Sequence, residues 1–154
     1  MTNRTAFLDM IAHSELGDAL LSLSDNGYNI IVGSTPSKLI LMGTYATHPH
    51  KVISLSPTLK SSAAGRYQLL GKYYDYYSKL LKLPDFGHNS QDAIALQQIK
   101  ECLALSDIDA GRFDVAVQKC AHIWASLPGA GYGQHENRLV DLRSVYLDSG
   151  GTLA

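Results

Sequence analysis

The sequence predicts an α+β fold: an N-terminal helix and a small antiparallel β-sheet packed against a mainly helical lobe, with a cleft between sheet and helices. Three observations carry this reading. Residues 6–15 space their apolar side chains for one helical face. Three short runs between residues 28 and 55 are strand-sized and bounded by glycine or turn residues. From residue 61 to 150 the apolar period becomes helical. The expected organisation is a single domain over 1–154, with the sheet region at about 28–55 and the helical lobe at about 61–150.

In the first helix Phe7, Ile11 and Glu15 fall at i, i+4 and i+8, and Leu8 widens the stripe. Glu15 therefore points along the core-facing side. Desolvation there disfavours a carboxylate and raises its pKa, as a general acid near neutral pH requires. A solvated glutamate in a last helical turn, before the helix stops near Gly17, fits the position alone equally well.

Residues 28–32, between Gly27 and Gly33, read as a first strand. Residues 34–37 are turn chemistry, 38–42 return as a second strand to a break at Gly43, and 51–55 form a third. A long helix then starts from Ser61 or Ser62 as cap, presents Tyr67, Leu70, Tyr74, Tyr77 and Leu81, and ends at Leu83-Pro84. Ser90 caps the next, with Ala95, Leu96, Ile99, Cys102 and Leu103 on one face. A third begins near Arg112, turns Phe113, Ala116, Val117, Cys120 and Trp124 inward, and stops before Pro128-Gly129. The last uses Leu139, Leu142 and Tyr146 and ends at Gly150-Gly151.

Composition narrows the function classes. With 45% hydrophobic and 18% charged residues the chain is an ordinary globular protein rather than a disordered one. A formal net charge of -1 gives no field to draw it to nucleic acid or an anionic surface. No secretory pattern opens the sequence and no run has membrane-spanning length, so no membrane association is expected. Cys102 and Cys120 have no metal spacing and read as buried thiols rather than a disulfide.

Several short motifs are weaker than they look. Residues 129–134 resemble a dinucleotide loop, but Gln134 occupies the third glycine position and a helix, not a strand, precedes it. Those glycines either admit the backbone close to an extended ligand, with Tyr132 offering a flat face, or form a flexible turn. His48-Pro49-His50 supplies two ligands at most, so neither a metal nor a cofactor is expected. Cys120 and His122 face different sides of a helix. In residues 62–68, Tyr67 serves either core packing or a sugar contact, whereas packing does not account for Gln68. Glycoside chemistry usually takes two carboxylates. Near Glu15 stand only Asp18, beyond Gly17, and Asp25, and neither is plainly committed. A one-carboxylate mechanism is attractive.

Longer runs carry a family resemblance. Ala6-Phe7-Leu8-Asp9-Met10, Gly27-Tyr28 with Ile31-Val32-Gly33, residues 64–70, residues 90–101 and residues 123–134 resemble the lambda-type phage endolysins, lysozyme-like peptidoglycan lytic transglycosylases. Ser14-Glu15 and Gly65-Arg66-Tyr67-Gln68 also look like signatures of other lytic transglycosylases. The resemblance implies that Glu15 is the single catalytic acid, protonating the bond between N-acetylmuramic acid and N-acetylglucosamine and then acting as base. The sugar's own 6-hydroxyl would be the nucleophile and leave a 1,6-anhydro end, since a held hydroxyl has a large effective molarity. It further implies substrate contacts from Arg66, Tyr67, Gln68, Tyr132 and Gln134, and two lips near residues 51–60 and 129–134. The partner it implies is the glycan strand of peptidoglycan, with a monomer expected to be made in the host cytoplasm and freed into the periplasm by a separate holin.

Two segments depart from the relatives' pattern: Leu16 follows the catalytic glutamate in place of glycine, and residues 43–50 lose acidic and basic side chains. The alternatives are a hydrolytic lysozyme using Glu15 with Asp25, or a non-catalytic peptidoglycan-binding protein on the same fold. The Glu-Asp-Thr pattern of other phage lysozymes is absent, because the corresponding positions hold Ser24 and Ile30.

Overall fold

The computed structural model describes residues 2–131 and 136–154. Among them the elements run α1 (Asn3–Leu23), β1 (Ile53–Ser54), β2 (Lys60–Ser61), α2 (Gly71–Leu80), α3 (His88–Glu101), α4 (Leu105–Asp109), α5 (Phe113–Cys120) and α6 (Leu139–Asp148). The fold is mostly helical with a small two-stranded antiparallel sheet. The chain packs as two compact units, one of Met1–Glu15 with Ala95–Ala154 and one of Leu16–Ile94.

In the first unit the start of α1 is buried by the C-terminal helices. Phe7, Met10 and Ile11 are fully buried, together with Ile99, Ile108, Leu127, Leu142 and Tyr146. Burying such side chains contributes about 1.5–3 kcal/mol each. Phe113 lies edge-on to Phe7 at 5.9 Å and tilted against Tyr146 at 4.7 Å, so α1, α5 and α6 share one aromatic seam. Polar ties close the margin. The Asn3 side chain donates to Ile108 O at 3.0 Å, Arg4 pairs with Asp109 at 2.8 Å, and Arg112 and Lys119 both reach the buried Asp107.

The second unit is built around Ala64, Leu69, Tyr74, Tyr77, Phe86 and Ile94. His48 is buried among them. Its Nε2 donates to Leu69 O at 2.8 Å while Nδ1 accepts the His50 N–H at 2.9 Å, so the ring is a neutral packing element. Burial lowers its pKa accordingly.

Local structure departs from the sequence reading at identifiable places. The helical run that carries Glu15 stops at Gly17 as expected, at φ 77, ψ 160; what the sequence did not suggest is that helical backbone resumes beyond it, so that α1 continues to Leu23. The runs 28–32 and 38–42 are antiparallel but pair through one isolated bridge, Ile30 with Leu41, while a second bridge, Thr35 with Lys38, closes the turn between them. Ser34 Oγ accepts the Ile40 N–H at 2.9 Å, diverting a ladder bond to a side chain. Of the three expected strands only the third contributes, as β1, and its partner is Lys60–Ser61.

The helix expected from Ser61 or Ser62 starts instead at Gly71. Residues 64–69 form a tight turn, with Ala64 N–H to Leu69 O at 3.0 Å and its reciprocal at 2.9 Å. Gly65 at φ +85 sits so close to its neighbours that a Cβ would collide with the Gln91 side chain and crowd the Phe86 ring. Ser62 still serves the helix start, its hydroxyl accepting the Gly71 N–H at 3.0 Å. Ser90 is not a cap: α3 starts two residues earlier, and the Ser90 hydroxyl donates to Asp85 at 2.7 Å. Leu103 is exposed rather than on the buried face, which runs through Gln91, Ile94, Ala95, Gln98 and Ile99. Trp124 is buried but lies beyond the end of α5.

Candidate active site

Glu15 ends the stripe that begins with Phe7 and Ile11, and it is half-buried. Burial pushes its carboxyl up to about 7, against the opposing pull of a hydrogen bond from the Ser126 hydroxyl to Oε2. An acid at that value holds its proton near neutral pH and gives it up readily. It meets the demand on a general acid that must later act as a base.

The supporting groups come from far along the chain. Ser14 Oγ lies 2.8 Å from Ser126 Oγ. The Asn137 side-chain amide donates to Ser14 O and to Ser14 Oγ, both at 3.0 Å, while its backbone N–H donates to Ser126 O at 2.8 Å. Next to Asn137, the two carboxylate oxygens of Glu136 accept the Gly129 and Gly131 amides at 3.0 Å each. Those amides hold the Glu136 carboxyl below its usual range. Gly129 and Gly131 have positive φ and open space where a Cβ would stand, so turn geometry alone accounts for both.

The other expected site residues separate into two groups. Arg66 and Tyr67 are buried in the second unit. The Arg66 guanidinium bonds Asn26 O and the Tyr67 hydroxyl at 3.0 Å each and lies 5.3 Å from the centre of the Tyr28 ring. Tyr67 and Tyr28 both donate to Asp92 Oδ1, at 2.6 and 2.9 Å. These contacts make Arg66 and Tyr67 part of the framework that holds the 64–69 turn. Gln68 is half-buried at φ 51, and its amide donates back to Gly65 O at 2.8 Å. Tyr132 and Gln134 lie outside the described residues.

Asp25 is engaged. Its Oδ2 accepts the Tyr45 hydroxyl at 2.5 Å and His88 Nε2 at 2.6 Å, and these bonds hold its pKa below the usual value. The His88 ring stacks on Tyr28 at 3.8 Å. Asp18 is an exposed residue past the Gly17 break. No group of side chains able to hold a metal occurs among the described residues. Both cysteines are free, and His122 approaches Cys102 Sγ at 3.8 Å, a contact that the Cys120–His122 spacing did not suggest.

Sequence reasoning singled out Glu15 but not Ser126, which bonds it, nor Asn137, which bonds Ser14 and Ser126. Ser126 lies inside residues 123–134, one of the runs that carried the family resemblance, but a serine before Leu-Pro carries no catalytic signal of its own. Asn137 stands in a polar run of four, from residue 135 to 138, that gives no hint of direction.

Comparison with known proteins places these features in context. The Endolysin family model matches residues 5–153. The endolysin of Escherichia phage lambda is 49% identical over 151 residues, covering 97% of this chain and 92% of that protein. The endolysin of Escherichia phage P2 is 46% identical over 159 residues, covering 99% and 95%. Among solved structures, bacteriophage lambda lysozyme complexed with a chitohexasaccharide matches at TM-score 0.92 and 48% identity, covering 99% of this chain and 96% of that one. Lysozyme from bacteriophage lambda matches at TM-score 0.86 and 47% identity, with the same coverage.

Proposed function

The chain belongs to the Endolysin family, and from that premise we propose that it lyses bacterial peptidoglycan as a lytic transglycosylase with Glu15 as its one catalytic acid and base. The observation that carries this reading is the Glu15 carboxyl itself: half-buried, raised to about 7, and hydrogen-bonded at one oxygen by Ser126. The oligosaccharide bound to the lambda lysozyme supports a β-1,4-linked glycan as substrate.

Glu15 donates its proton to the oxygen linking N-acetylmuramic acid to N-acetylglucosamine, and that bond breaks as positive charge develops at C1. The resulting carboxylate takes the proton of the same sugar's 6-hydroxyl as that oxygen bonds to C1. Atoms balance without water, and a 1,6-anhydro end remains. Intramolecular attack with an effective molarity of roughly 10⁵–10⁸ M makes a second carboxylate unnecessary. Asp25 fits that economy, because its Oδ2 is already occupied by Tyr45 and His88.

The cellular setting follows the same reading: synthesis in the host cytoplasm, holin-dependent release, and action on the wall from the periplasm as a monomer. The second reading, a hydrolytic lysozyme, draws on the name of the solved lambda structures. It would require Asp25, whose Oδ2 holds Tyr45 and His88, to activate water through Oδ1.

Mass spectrometry of the sugar termini released from purified peptidoglycan decides between them. Products one water lighter, without a reducing muramic end, are expected. Reducing ends would make the enzyme a hydrolase, and binding without any release would make it a wall-binding protein.

A further inference from the structure

We propose that Asn137, Ser14 and Ser126 form a one-way hydrogen-bond relay that fixes Glu15 Oε2 as an acceptor and leaves Oε1 as the oxygen that carries and transfers the proton. Asn137, Ser14 and Ser126 are positioning residues in this scheme. It rests on the reading of Glu15 as the catalytic acid.

The direction of the relay follows from donor and acceptor chemistry. Asn137 Nδ2 lies 3.0 Å from Ser14 O and 3.4 Å from Ser126 O. Both are carbonyl oxygens, which only accept, so the amide must present its NH₂ group to them. Rotating it would set Oδ1 against two acceptors. The third contact of that NH₂ is Ser14 Oγ at 3.0 Å, one of its two N–H groups being shared between acceptors. Nδ2 has no lone pair to offer, so the Ser14 hydroxyl accepts there and spends its single proton on Ser126 Oγ, 2.8 Å away. Ser126 in turn spends its own proton on Glu15 Oε2. Every proton in the series points toward Glu15, and each hydroxyl is polarised by the one before it.

A carboxyl anchored in this way has two unlike oxygens. Oε2 accepts from Ser126 in both protonation states, more strongly when Glu15 is ionised. The exchangeable proton is therefore confined to Oε1. That assignment holds the acid in one orientation through both halves of the reaction, when it gives a proton and when it takes one back. The relay also ties Ser126 and Asn137 to the helix that carries the acid.

Charged neighbours do not supply an alternative. Burial and the Ser126 hydroxyl alone account for the displacement of the Glu15 pKa. On α1, Asp9 and His13 stand six and two residues before Glu15, spacings that put them on other faces, and Asp18 follows the break at Gly17. On the facing segment Glu136 is held by the Gly129 and Gly131 amides.

The test compares Ser126→Ala, Ser126→Thr and Ser14→Ala, with Glu15→Gln as the inactive control. Two quantities are read: kcat and KM on purified peptidoglycan across pH, and the titration of the Glu15 carboxyl by carbon NMR. Ser126→Ala removes a hydrogen bond that favours the anion, so the Glu15 titration and the alkaline limb of activity should both move to higher pH. kcat should fall about tenfold with KM within about twofold. Ser126→Thr should restore all three, because it keeps the hydroxyl.

Ser14→Ala leaves the bond to Glu15 but strips its polarisation, so the same shifts should appear at smaller size. Should Ser126→Ala fail to fold, Ser14→Ala with the threonine variant decides. An unmoved titration, or a threonine variant as impaired as alanine, overturns the relay. Activity retained by Glu15→Gln would instead overturn the catalytic reading, while the NMR titration would still report on the relay.

Discussion

A carboxyl raised to about 7 by burial costs folding free energy whenever it is ionised, and Glu15 is such a group. Its folded pKa lies above the unfolded value of 4.5, so the stability it contributes is fully present below about pH 4.5 and is lost as pH rises toward 7. After screening at a half-buried site, the loss amounts to about 2 kcal/mol. Glu15→Gln keeps the shape and cannot ionise. We expect it to abolish lysis of outer-membrane-permeabilised Gram-negative cells and, by thermal unfolding at pH 8, to be more stable than the parent, with the gap closing by pH 5. A variant that loses activity because it unfolds would show the opposite order of stability. At this scale the sequence was legible wherever one helix held the information: Phe7, Ile11 and Glu15 share a stripe that spacing alone reveals. Ser126 and Asn137 reach the site from 111 and 123 residues away, and no local period encodes such contacts.

Elements show where periodicity misleads. Tyr67, Leu70, Tyr74 and Tyr77 keep helical spacing, yet only the last two are helical. The turn at 64–69 buries Tyr67 through its bonds to Arg66 and Asp92, and α2 buries Tyr74 and Tyr77. Two elements in succession reproduced the period of one. The early strands failed for a related reason, since Ser34 takes over pairing that β-branched composition assigned to backbone. Glycine was read more dependably as punctuation: the first helical run does end at Gly17, although α1 resumes beyond it. Its φ of 77 and ψ of 160 belong to a region open to little but glycine, and nothing lies within 4 Å of where a Cβ would stand. Gly17→Ala therefore isolates backbone strain from steric collision. It should lower stability by about 1–3 kcal/mol, read as a drop in Tm. A loss within experimental error would mean that the break is imposed by packing and tolerates a Cβ. Because the break sits two residues after Glu15, the same variant should also reduce kcat more than it raises KM.

At the scale of the whole molecule, composition and family runs carried most of the information, while the division of the chain into units was hidden. Nothing in the first fifteen residues announces that they pack with residues 95–154, yet Asn3 bonds both Ile108 O and the Thr152 N–H. Net charge was legible from the outset and has a consequence for encounter with an anionic wall. Thirteen Lys and Arg residues against fourteen Asp and Glu leave no field of one sign, so long-range attraction contributes little to the rate of binding. A strongly cationic wall-degrading enzyme would lose rate steeply as salt shortens the Debye length from about 30 Å at 0.01 M to about 8 Å at 0.15 M. Here the initial rate of turbidity loss on permeabilised cells should change by less than about threefold over that range, because short-range contacts dominate and are weakly screened. A steep decline with salt would point to a concentrated basic patch steering the encounter. Replacing lysines singly on the exposed 51–60 segment, with Lys51 and Lys60 first, would then locate it.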